Sequence, residues 1–353
     1  MKTGAVKCVV SDLRKEFVED YLWPMLKAGA VYEKSYLLGT SVARPLIAKH
    51  QVDVAHAEGA TAVAHGATGK GNDQVRFEIT FMALDPSLKI VAPWKDSNFT
   101  LTSREAAVDY AKKHDIPIEQ TKKKIYSRDR NLWHISHEGA DLEDPANEPQ
   151  EHLFVMSKPV EKTPARCDYV KIGFEAGVPV KLDGKRIGGV KLIERLNEIG
   201  GKHGVGQADL VENRLVGMKS RGVYETPGGT ILMTAHDCLE QVTLDRETLH
   251  YKQQMALKYA DLVYYGLWFT QLREAMDAFV DVTQQNVTGE VRLKLFKGRC
   301  TPAGITSKRS LYRPDLASFK MGAEYDPTDA TGFIRLFGLP AKVAGIVNRG
   351  GRR

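Results

Sequence analysis

Cysteine is scarce. The chain has four among 353 residues, Cys8, Cys167, Cys238 and Cys300, with no paired spacing. That excludes a disulfide framework and points to a reducing compartment. No run approaches the roughly 18 consecutive apolar residues of a membrane span, and no signal-peptide pattern opens the chain, so a cytoplasmic location without membrane attachment is expected. Charge of one sign is nearly balanced: net +6 with a pI near 8.9, dispersed along the chain. This mild excess suits small anionic substrates and argues against nucleic acid as a partner. There is no Ser/His/Asp grouping, no heptad seam and no metal-ligand cluster. His134 and His137 stand three apart without a third ligand and read as surface histidines. With 42% hydrophobic and 27% charged residues, the chain is long enough to bury a sizeable core in one large or two medium domains.

Against these absences one stretch is dense in signal: HGATGKGNDQVRFE, residues 65–78. Thr61 to Ala64 before it is short and apolar, as the end of a buried strand is. Val75, Ile79 and Met82 after it recur at helical spacing. The reading is strand, glycine-rich turn and helix, with Asn72 or Asp73 as N-cap. Glycines allow close backbone approach, and a helix N-terminus suits an anion. The register excludes a Walker A loop, because Lys70 is followed by Gly71. An anion site and an ordinary tight βα turn both stay open.

Elsewhere, Lys7 to Val10 reads as a strand and Leu13 to Leu26 as a helix. Tyr32 to Ser41 is a polar loop whose Ser41 could cap the next helix, up to Glu58-Gly59. Leu88 to Ala92 is a second strand, and Ser103 and Glu105 open a helix that Asp115-Ile116-Pro117 breaks. This alternation predicts an α/β fold with a doubly wound parallel sheet. Near residues 115–125 the character changes, beginning with the charge run Lys122–Lys124. Tyr169 to Phe174 and Val178 to Leu182 alternate as antiparallel strands, with a turn at Asp183-Gly184. Val190 to Ile199 is an amphipathic helix closed by Gly200-Gly201. Most of Thr230 to Trp268 and Thr270 to Gln285 is helical, Val291 to Phe296 pairs with the segment to Ser307, and Ala341 to Val347 is a short helix before a basic tail. The domains are placed at 1–118, 119–335 and 336–353.

The segment around Glu212, Asn213, Arg214, Lys219, Arg221 and Tyr224 mixes both charge signs beside glycines, which fits recognition of a zwitterion as well as an ordinary solvent face. Tyr36, Ser41, Ser127 and Ser136 are unremarkable by themselves, and no base stands nearby to make a nucleophile of a serine.

Four stretches resemble the argininosuccinate synthase family: residues 65–78, YLLGTSVARPLIAK (36–49), GKHGVGQADLVENRLVGMKSRGVYETPGGT (201–230) and YDPTDATGFI (325–334). They keep one order and span nearly the whole chain. The resemblance implies an ATP-dependent ligase joining citrulline to aspartate through citrullyl-AMP, with Mg²⁺ accompanying ATP and a homotetrameric assembly. It implies Gly66 for ATP; Thr68, Asn72 and Asp73 for aspartate; and Tyr36, Ser41, Asn72, Arg76, Ser127, Ser136, Glu212 and Tyr224 for citrulline. No catalytic residue or protein metal ligand is named, because positioning and charge stabilisation carry such a reaction. The family's SGGLDTS-type pyrophosphate turn is not found, so the first domain is expected to be N-terminally truncated and the ligase activity weak. The alternative reading is a non-catalytic partner subunit or an amino-acid-binding regulatory protein.

Overall fold

The computed structural model describes residues 4–96, 98, 99, 101, 104–118, 126–318 and 325–350. Ser103 and the Lys122–Lys124 run lie outside them. Met1–Arg309 form one compact unit and Ser310–Arg353 a second.

The first unit opens with helix α1, which runs Arg14–Glu16, passes through a π-helical turn at Phe17–Leu22 and continues Trp23–Ala28 to a left-handed Gly29. Residues 7–10, expected as a strand, form none; Val10 is 92% exposed. A short apolar run has no reason to stay extended without a neighbouring strand to take its backbone hydrogen bonds. Helix α2 (Gly39–Ala57) and helix α3 (Asn72–Leu84) flank a parallel pair, β1 (Ala62–Ala64) with β2 (Lys89–Val91), in the register Val63 to Ile90. Ala48, Val52, Ala55, Val63 and Phe81 bury their side chains between these elements. Among the described residues the parallel sheet has these two strands alone. Helix α4 (Arg104–Lys113) follows.

Two antiparallel sheets come next. One is ordered β3–β4–β9–β8, from β3 (Ser127–Arg130), β4 (Ile135–Glu138), β8 (Gln207–Asn213) and β9 (Lys219–Glu225). The other is ordered β11–β10–β5–β6–β7, from β5 (Asp168–Glu175), β6 (Val178–Leu182), β7 (Lys185–Arg186), β10 (Gly289–Phe296) and β11 (Arg299–Thr306). The turn at Asp183-Gly184, which joins β6 to β7, and the β10–β11 pairing are as the sequence implies. Helices α5 (Gly189–Lys202), α6 (Pro227–Thr243), α7 (Arg246–Tyr264) and α8 (Gln271–Gln284) complete the main core, which also takes in α1. Gly200 and Gly201 lie inside α5 rather than closing it: a Cβ on Gly201 would meet the Met156 carbonyl at 2.1 Å, so the helix continues through glycines to pack against that loop.

In the second unit α9 (Asp329–Phe337) and α10 (Leu339–Gly350) follow a short turn at Pro314–Ala317. Among the described residues no single helix is long and apolar enough to cross a membrane; only the bent pair α9 and α10 together meets that length and composition.

Candidate functional site

A cavity of about 370 Å³ opens where the glycine-rich turn and the starts of α2 and α3 face β3, β4, β8 and β9. Nine of the eleven residues that the resemblance assigns to substrates line it: Tyr36, Gly66, Thr68, Asn72, Asp73, Arg76, Ser127, Glu212 and Tyr224. Ser41 and Ser136 are buried just behind the wall. The Ser41 hydroxyl lies 3.5 Å from that of Tyr36, and the Ser136 hydroxyl accepts the Asp129 N–H at 3.2 Å.

Neither expected helix cap forms, and the reason lies in the site. Helix α3 is capped by Gly71 in extended conformation, not by Asn72 or Asp73. The Asn72 amide donates to the Tyr264 hydroxyl at 2.8 Å and accepts the Leu215 N–H at 2.9 Å. The Asp73 carboxylate accepts from Arg44 at 2.9 and 2.6 Å and from Arg76 at 2.8 Å. Tertiary partners have taken both side chains from the local role their type favours. Likewise Ser41 does not cap α2. The helix begins after Leu38, a buried leucine at φ +57°, and the Thr40 N–H is satisfied by the Tyr36 hydroxyl at 3.1 Å. A bulky residue in left-handed conformation costs on the order of 1–3 kcal/mol and persists only where packing enforces it.

Charges of both signs meet here. Arg44, Arg76 and Arg214 face Asp73, Asp129, Glu138 and Glu212. Arg44 bridges Asp73 to Asp129, at 2.6 and 2.8 Å. Arg214 pairs with Glu138. Burial pushes Asp73 up, but the guanidiniums of Arg44 and Arg76 outweigh it and hold the carboxyl below its ordinary range. Glu212 goes the other way: burial raises it, and Arg76 compensates only in part. Its Oε1 accepts from the Tyr224 hydroxyl at 3.2 Å, while its buried Oε2 has no protein partner. The Tyr224 ring comes close against Gly222, where a Cβ would lie 2.4 Å from the hydroxyl. Such an array of opposed, oriented charges is complementary to amino-acid head groups, which carry both signs.

Arg44, Asp129, Glu138 and Thr40 line the cavity without having been singled out for it, and Arg214, named only within its mixed-charge segment, joins them. A signal was there: Tyr36, Thr40 and Arg44 recur every fourth residue, and Ser127 with Asp129 and Glu212 with Arg214 alternate as residues of one strand face do. The histidines differ from expectation. His134 and His137 are fully buried, not on the surface. His134 bonds Thr40 Oγ1 at 3.0 Å, and burial followed by Arg44 holds it down at about 3. His137 bonds Glu225 at 2.9 Å. His65 bonds Glu78 at 3.0 Å, which also pairs with Lys95. Among the described residues no group of three His, Cys, Asp or Glu side chains is placed to hold a metal ion.

Two family models match in tandem: the arginosuccinate synthase N-terminal HUP domain over residues 1–117 and the arginosuccinate synthase C-terminal domain over residues 126–344. The N-terminal match begins at the first residue and lends no support to a truncated first domain. Among similar proteins, argininosuccinate synthase of Roseiflexus sp. (strain RS-1) is 62% identical over 345 residues, covering 98% of this chain and 84% of that protein. Argininosuccinate synthase of Carboxydothermus hydrogenoformans is 62% identical over 349 residues, covering 99% of this chain and 86% of that protein.

Proposed function

The chain belongs to the argininosuccinate synthase family, and we propose that it carries out that family's reaction in the cavity described above. It is an ATP-dependent ligase. The citrulline ureido oxygen attacks the α-phosphorus of ATP, giving citrullyl-AMP and pyrophosphate. The aspartate amine then displaces AMP, giving argininosuccinate. The carrying observation is the convergence of nine of eleven expected residues, drawn from separate stretches of chain, on one cavity of mixed charge.

In this reading Gly66 lies against ATP. Thr68, Asn72 and Asp73 hold aspartate. Citrulline meets Tyr36, Asn72, Arg76, Ser127, Glu212 and Tyr224, with Ser41 and Ser136 supporting from behind. Arg76 suits a carboxylate, and the unpartnered oxygen of Glu212 suits an ammonium or ureido N–H. No side chain is asked to act as general base; holding the reactants together and stabilising charge supply the rate. Mg²⁺ enters as the counter-ion of ATP, held chiefly by the phosphates. The first 118 residues form a doubly wound nucleotide-binding domain of which β1 and β2 are the parallel pair. Residues 119–335 form the synthetase domain, and 336–353 a C-terminal helix and tail; the compact-unit boundary at Arg309/Ser310 falls inside the second segment. A cytoplasmic homotetramer completes the reading.

The test is an assay on the purified chain with ATP·Mg²⁺. Pyrophosphate release should require citrulline, and argininosuccinate should form when aspartate is added. Citrulline binding without any pyrophosphate release would overturn the ligase reading and favour an amino-acid-binding protein.

A further inference from the structure

Tyr264 holds no assigned role, yet its hydroxyl, ring and main-chain carbonyl meet Asn72 and Arg76, and its ring also meets that of Tyr36 edge-on. It is the last residue of α7 and fully buried. Its hydroxyl accepts from Asn72 Nδ2 at 2.8 Å, and its main-chain carbonyl accepts from Arg76 Nε at 2.8 Å. The Arg76 guanidinium lies 4.8 Å from its ring centroid. That carbonyl is one of the orphan acceptors at a helix C-terminus, where partial negative charge favours a cation. Two residues further, Gly266 adopts φ +76°, and a Cβ there would lie 2.7 Å from Arg76 Cα. The end of α7 therefore meets α3 backbone to backbone. The ring is itself fixed, stacked on Tyr32 at 3.7 Å between centroids, and the Tyr32 hydroxyl donates to the Asn213 carbonyl at 2.8 Å.

We propose that Tyr264 is a positioning residue for citrulline, holding the Asn72 amide and the Arg76 guanidinium in the orientation the substrate meets. This rests on the reading that Asn72 and Arg76 contact citrulline. The amide is pinned at both ends, by Tyr264 and by the Leu215 N–H, so it cannot flip. One Nδ2 proton and one Oδ1 lone pair remain for a ligand. Arg76 commits Nε to Tyr264 and Nη1 to Asp73, which leaves its Nη2 edge to meet a carboxylate. Burial and then the Glu212 charge raise the phenol, so the hydroxyl stays protonated at any working pH.

Tyr264→Phe removes the hydroxyl and keeps the ring, the stack and the carbonyl. In the full chain, at saturating ATP and aspartate, the citrulline KM should rise about tenfold, the scale of one hydrogen bond lost at a buried group. The aspartate KM should rise as well, since Asn72 is also read against aspartate, while the unfolding midpoint holds nearly constant. A role in packing alone would lower the midpoint. Adding Tyr264→Phe to Asn72→Ala should cost nothing further in citrulline affinity, measured calorimetrically where turnover is slow; additive losses overturn the proposal. An unchanged citrulline KM in Tyr264→Phe, with a raised one in Asn72→Ala, refutes the positioning role and leaves the site reading standing. An unchanged affinity in Asn72→Ala removes the site reading and the proposal with it.

Discussion

Replacing Glu225 with glutamine should destabilise the protein by about 4 kcal/mol, although one oxygen becomes a nitrogen of nearly equal size. Glu225 ends β9 and is completely buried. Its Oε1 accepts from His137 Nε2 at 2.9 Å and the Val155 N–H at 2.9 Å. Its Oε2 accepts from the Met156 N–H at 2.9 Å and from the Ser157 N–H and hydroxyl at 2.6 Å each. His137 cannot turn acceptor on that side, because Arg128 Nε donates to its Nδ1 at 3.0 Å and so places the proton on Nε2. Whichever way a glutamine amide is turned, its NH₂ faces at least two donors. Two bonds to a charged acceptor, at about 1.5–3 kcal/mol each, give a loss of about 3–6 kcal/mol. Urea unfolding reads this directly: with a slope of about 3 kcal/mol per molar, the midpoint should fall by about 1 M. The pH dependence follows. Burial raises the carboxyl, but the donors His137, Ser157 and Val155 outweigh it and hold it below its ordinary range. A depressed pKa contributes stability that is present above the unfolded value of about 4.3 and is lost as pH falls through the folded one. The gap between parent and variant should be full at pH 7 and narrow in acid. Activity should drop too, since Ser136 pairs with Tyr224 one step from the Ile135–Glu225 pair. A gap under about 1 kcal/mol, or one that does not shrink in acid, would refute the reasoning.

Two further outcomes can be checked with the same tools. Asp73→Asn leaves the buried Arg76 without its carboxylate and Arg44 with Asp129 alone, which should cost about 3 kcal/mol in urea unfolding and raise the aspartate KM sharply in a steady-state assay. Gly39→Ala puts a Cβ 2.2 Å from His134 Cγ; at about 3 kcal/mol for overpacking, a thermal melt should show a clear loss, with reduced citrulline affinity because Thr40 and Ser41 follow at once.

The sequence carried much of the fold because the relevant signals are local. Alternation over residues 169–182, the Asp183-Gly184 turn and the periodicity of α7 and α8 do not depend on distant chain. Local signals failed where a distant partner intervened. Asn72 and Asp73 are good caps by type, but Tyr264, Leu215, Arg44 and Arg76 claim them. Residues 7–10 have the composition of a strand and no strand beside them. His134 and His137 looked exposed because nothing near them in sequence reveals that Gly39 and Glu225 close over them.

What the sequence by itself determined is the set of chemical types: a glycine-rich turn ahead of a helix, a tyrosine and serine near α2, and an acidic residue and a tyrosine on adjoining strands, in an order that names the family. What only the tertiary structure decided is their company. Arg44, Asp129, Glu138 and Arg214 enter the same cavity, and Tyr264, 192 residues from Asn72, fixes that amide. Hydrogen bonds and ion pairs form between neighbours in space. A chain read one residue at a time shows which groups could pair, and only packing brings the chosen partners within 3 Å.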